Sequence, residues 1–509
     1  MLIPKAFQFS PNGQQIAYLW SSQGNLHQDL WIYDQQNQDH RCLLSANQGL
    51  TQDLDLPVDW QLARERDRQV NLGITDYTWA PDGSWLLVNL GCELRAIDPI
   101  EGTTQWTYST DQPIFLPTFL ETIGSDRQTL AFVQEGDLWG LDLSPKSEQQ
   151  SSGQQSSGQS GQQPKQGPKG QLPEGQSAVQ LRATRFTQRT GATQLNGIAD
   201  PLTWEELSRQ RGFWWLPERN AILFTTVFLD GIEPLHLLKP DQTIAETHAY
   251  SFAGSQIPET TLALFNLATR EIQPIPFRTD QTTYLANVFP GPTGEVFLLL
   301  LSRNQQQAHL VALDLETGAT QIRLSEQSST WVNLANTLWW LKSDCSFIWH
   351  HERHGQFQLE RRDIQGQRIT ALATPSGMVH KVLGVDETGG WIYYLAADDD
   401  PRERHLFRAQ LDGQGRAERL TPEPGCHNGV LSPDQRQWIH WWDHRGQPPQ
   451  VQLATIDGSN PQDFNPPLAP IAAGGIPPET LPLPELIELT STDGTSLLYG
   501  ALYHPPKKL

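Results

Sequence analysis

Two adjacent carboxylates, Glu205 and Glu206, and three alternating guanidiniums, Arg64, Arg66 and Arg68, stand out in this 509-residue chain. Their chemistry is charge-assisted hydrogen bonding: carboxylates accept from a cation, and guanidiniums donate to a carbonyl or carboxylate. Each also has a plain structural meaning. A Glu pair marks a solvated helix turn, and Arg-x-Arg-x-Arg marks one face of an edge strand or exposed helix. His350, His351 and His354 suggest a metal, but His-His-Glu-Arg-His is not His-Glu-x-x-His, because the second histidine of that motif would follow one residue too soon. In a strand hairpin, alternation would splay these imidazoles onto opposite faces, so exposed strand histidines are expected. His427, in PGCHNGVLSPD, is expected in a turn. Cys42, Cys92, Cys345 and Cys426 form no Cys-x-x-Cys pair, which suits free thiols in a reducing compartment. No metal or cofactor is expected.

A nucleophile is harder to find. No Gly-x-Ser-x-Gly occurs, and the nearest stretch, Gly158-Gln159-Ser160-Gly161, lacks the strand–turn–helix context that a nucleophile elbow needs. No run of alternating strands and long helices could hold a Ser-Asp-His triad. A net charge of −21 disfavours nucleic acid and anionic lipid as partners. No apolar run approaches the roughly 18 residues of a membrane span. The opening MLIPKAFQFSPNG lacks the pattern of a secretory signal, so a cytoplasmic location is expected.

The elements that must position these groups are short strands. FQFSPNGQQIAYLW with DLWIYD, YTWAPDGSWLLVNL with ELRAID, and VFPGPTGEVFLLLLS with HLVALDLETG repeat one unit. Each has an apolar strand, a polar turn, an apolar strand, and a further strand with an aspartate near its end. The spacing lies near the roughly 40–50 residues of a four-stranded propeller blade. The predicted fold class is all-β, a β-propeller of seven or eight blades, the ring complete or not; a sandwich array is the alternative. Radial repetition is favoured because it protects edge strands in a long chain. Residues 145–180 are Gln/Ser/Gly-rich and hold almost nothing apolar, so they cannot offset their ordering entropy. They are expected to be a disordered loop inserted between the third and fourth strands of one blade, where loop closure is tolerable.

Three stretches are more specific than the repeat: LARERDRQVNLGITDYTW (62–79), NGIADPLTWEELSRQRGFWW (196–215) and ETHAYSFAGSQIPETTLALFNL (246–267). In this order they resemble the propeller of the dipeptidyl peptidase IV family, among the prolyl oligopeptidase-type serine peptidases. Gly73-Ile74, Tyr77, Gly212-Phe213-Trp214-Trp215, Tyr250 and Gly254 match the family pattern, as do Glu352, Arg353 and Gly355 in IWHHERHGQFQLERRD. The resemblance covers essentially the whole chain outside the insertion. Departures are Leu216-Pro217-Glu218, where Ser-Pro-Asp is usual, and Ser251, where proline is usual.

The resemblance implies that Glu205 and Glu206 sit on a short helical excursion into the central cavity and bind the free α-ammonium of a peptide. It implies that Arg68 meets a substrate carbonyl, with Arg64 or Arg66 in that place if the register differs. Two charge-assisted hydrogen bonds to one ammonium are each worth on the order of 1.5–3 kcal/mol. An anchored N-terminus then measures off the scissile bond, since a chain advances at most about 3.3–3.6 Å per residue. The stretch ELIELTSTDGTSLLYGALYHPP is similar to the strand pair that opens the family's hydrolase domain. The expected organisation is a propeller over 1–480 and a hydrolase-domain stub over 481–509. Such a chain would gate and bind peptides with a free N-terminus without a triad of its own. The expected partner is a separate α/β-hydrolase chain docking on 481–509, whose apolar Leu489, Leu497 and Leu502 would then be covered. The alternative is a stand-alone propeller scaffold or pseudoenzyme that binds proteins or peptides.

Overall fold

The structure, a computed structural model, describes residues 3–46, 64, 72–120, 128–145, 179–238, 241, 243–334, 338–353, 355–445, 447–457, 459–464 and 483–504. Arg66, Arg68 and most of the 145–180 segment lie outside the described residues. The fold is all-β, an eight-bladed propeller. Blades 1 to 8 span 5–44, 76–109, 115–185, 194–278, 283–327, 338–371, 379–419 and 426–463. Each is built around four antiparallel strands; in all but blade 4, where an excursion and a hairpin intervene, they follow one another directly in sequence.

The repeated residues explain themselves locally. In blade 1 the Ser10 hydroxyl donates to Asn12 Oδ1 at 2.7 Å, and Gly13 N–H donates to the Ser10 carbonyl at 2.8 Å, closing the first turn. Blade 8 repeats this with Ser432 and Asp434. The aspartate that ends the third strand caps the next turn. Asp34, Asp98 and Asp314 each accept from the two backbone N–H groups two and three residues on. These bonds hold the Asp314 carboxyl below its ordinary range.

The chain divides into two compact units: Met1–Cys42 with His354–Leu359 and Leu372–Leu509, and Leu43–Arg353 with Glu360–Ala371. In the first, Phe7, Tyr18, Trp31 and Tyr33 of blade 1 pack with Ile439, Leu453 and Phe464 from the blade 8 end of the chain. Tyr393, Leu395 and Leu406 of blade 7 pack with Trp438 and Ala454 of blade 8. In the second unit, apolar clusters fill each seam from blade 2 to blade 6.

Two stretches depart from the simple repeat. In blade 3 the third and fourth strands, Asp137–Pro145 and Val179–Arg185, pair from Trp139↔Arg185 to Pro145↔Val179. Residues 146–178 therefore connect neighbouring strands of one hairpin. Near the C-terminus, Glu485–Thr490 and Leu497–Leu502 form a separate two-stranded hairpin. Arg402 of blade 7 reaches Glu488 at 3.5 Å and lies 4.5 Å from the centre of the Tyr499 ring. Leu486, Leu489, Leu497, Leu498 and Leu502 of this hairpin are exposed.

The histidines correct the sequence reading. His350 and His351 are buried, not exposed, on strand Phe347–Arg353. Alternation does put them on opposite faces, but this is an interior strand of its sheet and both faces are covered. His351 Nε2 lies 3.4 Å from Glu360 Oε1, and Glu360 also pairs with Arg362. His354 lies outside the described residues. His427 is fully buried within strand Cys426–Leu431, not in a turn. The glycine two residues on misleads: a Cβ on Gly429 would come within 2.7 Å of the Trp438 ring, so glycine is there for close packing.

Candidate functional site

The first strand of blade 4 is interrupted. Gln194–Asn196 and Phe213–Leu216 both pair with Ala221–Phe228, the former at Thr226–Phe228 and the latter at Ala221–Phe224. Thr225 lies between the two paired stretches. Its carbonyl accepts from Gly197 N–H at 2.9 Å, and its N–H donates to the Gly212 carbonyl at 2.7 Å. Residues 198–211 thus leave and rejoin the sheet at one rung, so the excursion leaves no ladder group unsatisfied.

The neck requires two glycines. Gly212 N–H donates to the Gly197 carbonyl at 3.0 Å. A Cβ on Gly212 would lie 2.6 Å from the Gly197 carbonyl carbon, and Gly197 holds φ of +77°. Beyond the neck, Ile198 bridges Arg211, and Ala199 N–H donates to the Gln210 carbonyl at 3.0 Å.

Helix α1 (Pro201–Leu207) forms the tip. Asp200 is the N-cap, accepting from Thr203 N–H at 3.1 Å, and Pro201 supplies the preset φ of a first helical residue. Ser208, in the left-handed region, ends the helix. Thr203, Trp204 and Leu207 form the buried face. Trp204 packs in the cluster of blades 3 and 4 with Leu120, Val133 and Phe213. Leu207 packs in that of blades 5 and 6 with Phe297, Leu299 and Trp349. Burying such side chains stabilises by roughly 1.5–3 kcal/mol each. The helical advance of about 100° per residue then turns Glu205 and Glu206 to the opposite face, where both are exposed.

The other matched residues are structural. Trp214 and Trp215 alternate across their strand, Trp214 into the cluster of blades 4 and 5 and Trp215 against that of blades 3 and 4. Ile74 and Tyr77 are core positions. Pro217–Arg219 forms a 3-10 turn into the next strand, so the departure at 216–218 leaves the hairpin intact. Tyr250 is half-buried, and its N–H donates to the Glu233 carbonyl at 3.0 Å, at the foot of the hairpin formed by Pro234–Leu238 and Ile244–Ala249. Ser251 is buried. Glu352 accepts from Asn333 Nδ2 at 2.7 Å. Arg64 is half-buried, and Arg68 lies outside the described residues.

Sequence reading missed Asp200 and Arg209, which hold the helix from either end. The Asp-Pro step before an apolar-periodic segment was the available signal for the first. Arg209 offered none, since a buried arginine cannot be told from an exposed one by spacing. Among the described residues no group of three or more His, Cys, Asp or Glu side chains could hold a metal ion, and no helix is long and apolar enough to cross a membrane.

Comparison with known proteins agrees with this architecture. The family described as "Dipeptidyl peptidase IV (DPP IV) N-terminal region" matches residues 176–449. The chain is similar to the rat protein named "Inactive dipeptidyl peptidase 10", 26% identical over 238 residues, covering 43% of this chain and 30% of that one. It is similar to mouse dipeptidyl peptidase 8, 21% identical over 540 aligned residues, covering 87% of this chain and 56% of that one. Among solved structures, dipeptidyl peptidase 4 of Porphyromonas gingivalis superposes with a TM-score of 0.67 at 14% identity, covering 97% of this chain and 64% of that one. The chain thus spans only part of the length of each relative.

Proposed function

Since the chain belongs to the family of the dipeptidyl peptidase IV N-terminal region, we propose that its propeller gates access to peptides and binds their free N-termini through Glu205 and Glu206. The observation that carries this reading is the geometry of α1. Two neighbouring carboxylates are exposed on one face of a helix whose other face is fastened to two core clusters. Such a pair is pre-organised for one cation, because the ordering of its backbone is complete before a ligand arrives. Arg68 is proposed to meet a substrate carbonyl. These 509 residues hold no Gly-x-Ser-x-Gly, so bond cleavage requires an α/β-hydrolase portion outside them. The exposed leucines of the hairpin at 485–502 are the proposed docking face for that portion.

The test is calorimetry with one peptide in free and N-acetylated forms. Each charge-assisted hydrogen bond lost with the ammonium is worth about 1.5–3 kcal/mol. The free amine should therefore bind at least about tenfold more tightly, one decade being about 1.4 kcal/mol. Binding should weaken as pH rises through the peptide α-amino pKa, about 7.7–8.0. Glu205→Gln and Glu206→Gln should each remove most of the preference. Equal affinity for the two peptides, with and without a hydrolase partner, would sink this reading.

A second reading is a stand-alone binding propeller with enzymatic ancestry only. The similarity to a rat protein named as inactive favours it. Retained peptide binding without fluorophosphonate labelling, in the presence of every candidate hydrolase partner, would decide for it.

A further inference from the structure

A helix as short as α1 is not stable by itself, since isolated helices under roughly 12–15 residues are marginal in water. Its direction must be imposed from outside. The apolar face sets its depth, but Trp204 and Leu207 alone leave rotation about the line between them poorly constrained. One directional contact lies just past the helix. Arg209 is 4% exposed, and its Nη1 donates to the Arg211 carbonyl at 2.9 Å. Its Nη2 donates to the Leu285 carbonyl at 3.1 Å, on the first strand of blade 5.

That acceptor lies on the edge strand of blade 5, beside a bulge. The pairing of Thr283–Pro290 with Val296–Ser302 slips between Leu285 and Asn287, which disrupts the ladder beside this carbonyl. A buried guanidinium is expensive, and burial pulls its pKa down to about 10 while the Asp200 carboxylate opposes the shift. Asp200, equally buried, is the cap at the other end of α1. An apolar residue would fill the same volume at lower desolvation cost, but it could not bond the carbonyls of the excursion and of blade 5 at once. A lysine, with a point charge in place of a fork, could replace only part of that.

We propose that Arg209 is the positioning residue of the candidate site, bracing the returning arm of the excursion against blade 5 and so orienting Glu205 and Glu206. It touches no ligand; its effect passes through the backbone of 208–211. The proposal rests on the reading of the Glu pair as an ammonium anchor for its functional consequence, but not for its structural one.

The experiment uses the full chain, with Arg209→Met and Arg209→Lys, and two readouts. Hydrogen exchange of the amides in 199–211 reports the bracing directly. Calorimetric preference for a free over an acetylated peptide reports the orientation. The expected result is at least tenfold faster exchange in 199–211 for Arg209→Met, with the amides of blade 2 unchanged, and loss of the tenfold peptide preference. Arg209→Lys should recover part of both. Wild-type exchange across 199–211 in Arg209→Met overturns the proposal. So does an unchanged peptide preference in that variant when the wild-type protein discriminates. If the wild-type protein shows no preference, the Glu-pair reading falls and the exchange result alone decides the role of Arg209. If Arg209→Met does not fold, Arg209→Lys decides by the same two readouts, wild-type values in both overturning the proposal.

Discussion

Glu205–Glu206 and His350–His351 are both adjacent pairs of ionisable residues, and the structure treats them oppositely. The glutamates sit on a helix, where neighbours lie about 100° apart, so one solvent-facing arc can hold both. The histidines sit on a strand, where neighbours point to opposite faces. For both to be exposed, both faces of the strand would have to be bare. In an interior strand of a propeller blade, both are covered. The glutamates are thus open to solvent, whereas His351 lies beside a buried carboxylate, Glu360, that also pairs with Arg362 and Arg368. Adjacent charged residues in a propeller suggest a binding site only where the chain has left the sheet.

The largest effect should come from breaking the buried side of this comparison. Glu360→Ala removes the carboxylate that pairs with buried Arg362, and loss of one partner of a buried ion pair costs about 3–5 kcal/mol. Urea unfolding should show that loss in the midpoint. A loss under about 1 kcal/mol would mean that this face of blade 6 is open to water.

The next effect extends the contrast to pH. In the seam of blades 7 and 8, His427 and His440 stack on each other and on Trp442, Trp438 stacks on His440, and the His405 ring lies tilted against His427 at 5.2 Å. Burial lowers His427 to about 4 and His440 to about 3, with Glu423 and Arg419 among the charges near His427. An unfolded histidine protonates near 6.5, so between that pH and the folded values the unfolded state binds more protons. Stability from this seam should be complete above about pH 6.5 and fall as pH drops toward 4. The slope should be about 1.4 kcal/mol per pH unit for each such imidazole. Unfolding series at stepped pH should show this slope, and His440→Phe should reduce it by one proton's share. An unchanged slope in that variant would remove His440 from the account.

A smaller effect is expected at the neck of the excursion. Gly212→Ala drives a methyl into backbone 2.6 Å away, and overpacking of this kind costs about 1–3 kcal/mol. The loss should be accompanied by faster hydrogen exchange in 197–212. Unaltered exchange would show that the neck accommodates a side chain.

The smallest effect sharpens the exposed side. Glu205→Gln and Glu206→Gln should each change unfolding stability by less than about 0.5 kcal/mol, as exposed substitutions do, while removing most of the preference for a free amine. A stability change above about 1 kcal/mol would mean that the carboxylates help to hold α1, and their exposure would then not be a sign of ligand binding.

Much of the fold was legible in the residues because it is local. The Ser-Pro-Asn-Gly and Ala-Pro-Asp-Gly turns and the aspartates ending the third strands build their hydrogen bonds within a few positions, so they mark blades without reference to anything distant. The Glu-Glu and Trp-Trp positions were readable for the same reason, as part of one continuous stretch. Coverage was not legible. Whether the faces holding His350 and His351 meet water depends on strands far along the chain, and so does the burial of His427. Arg209 is the clearest case: its spacing says nothing, and its partner, the Leu285 carbonyl, lies on the edge strand of the next blade, 76 residues along the chain. Propensity and turn chemistry act over a few residues and are written in order along the chain; desolvation and bracing act across space, and only the folded packing of blade on blade determines them.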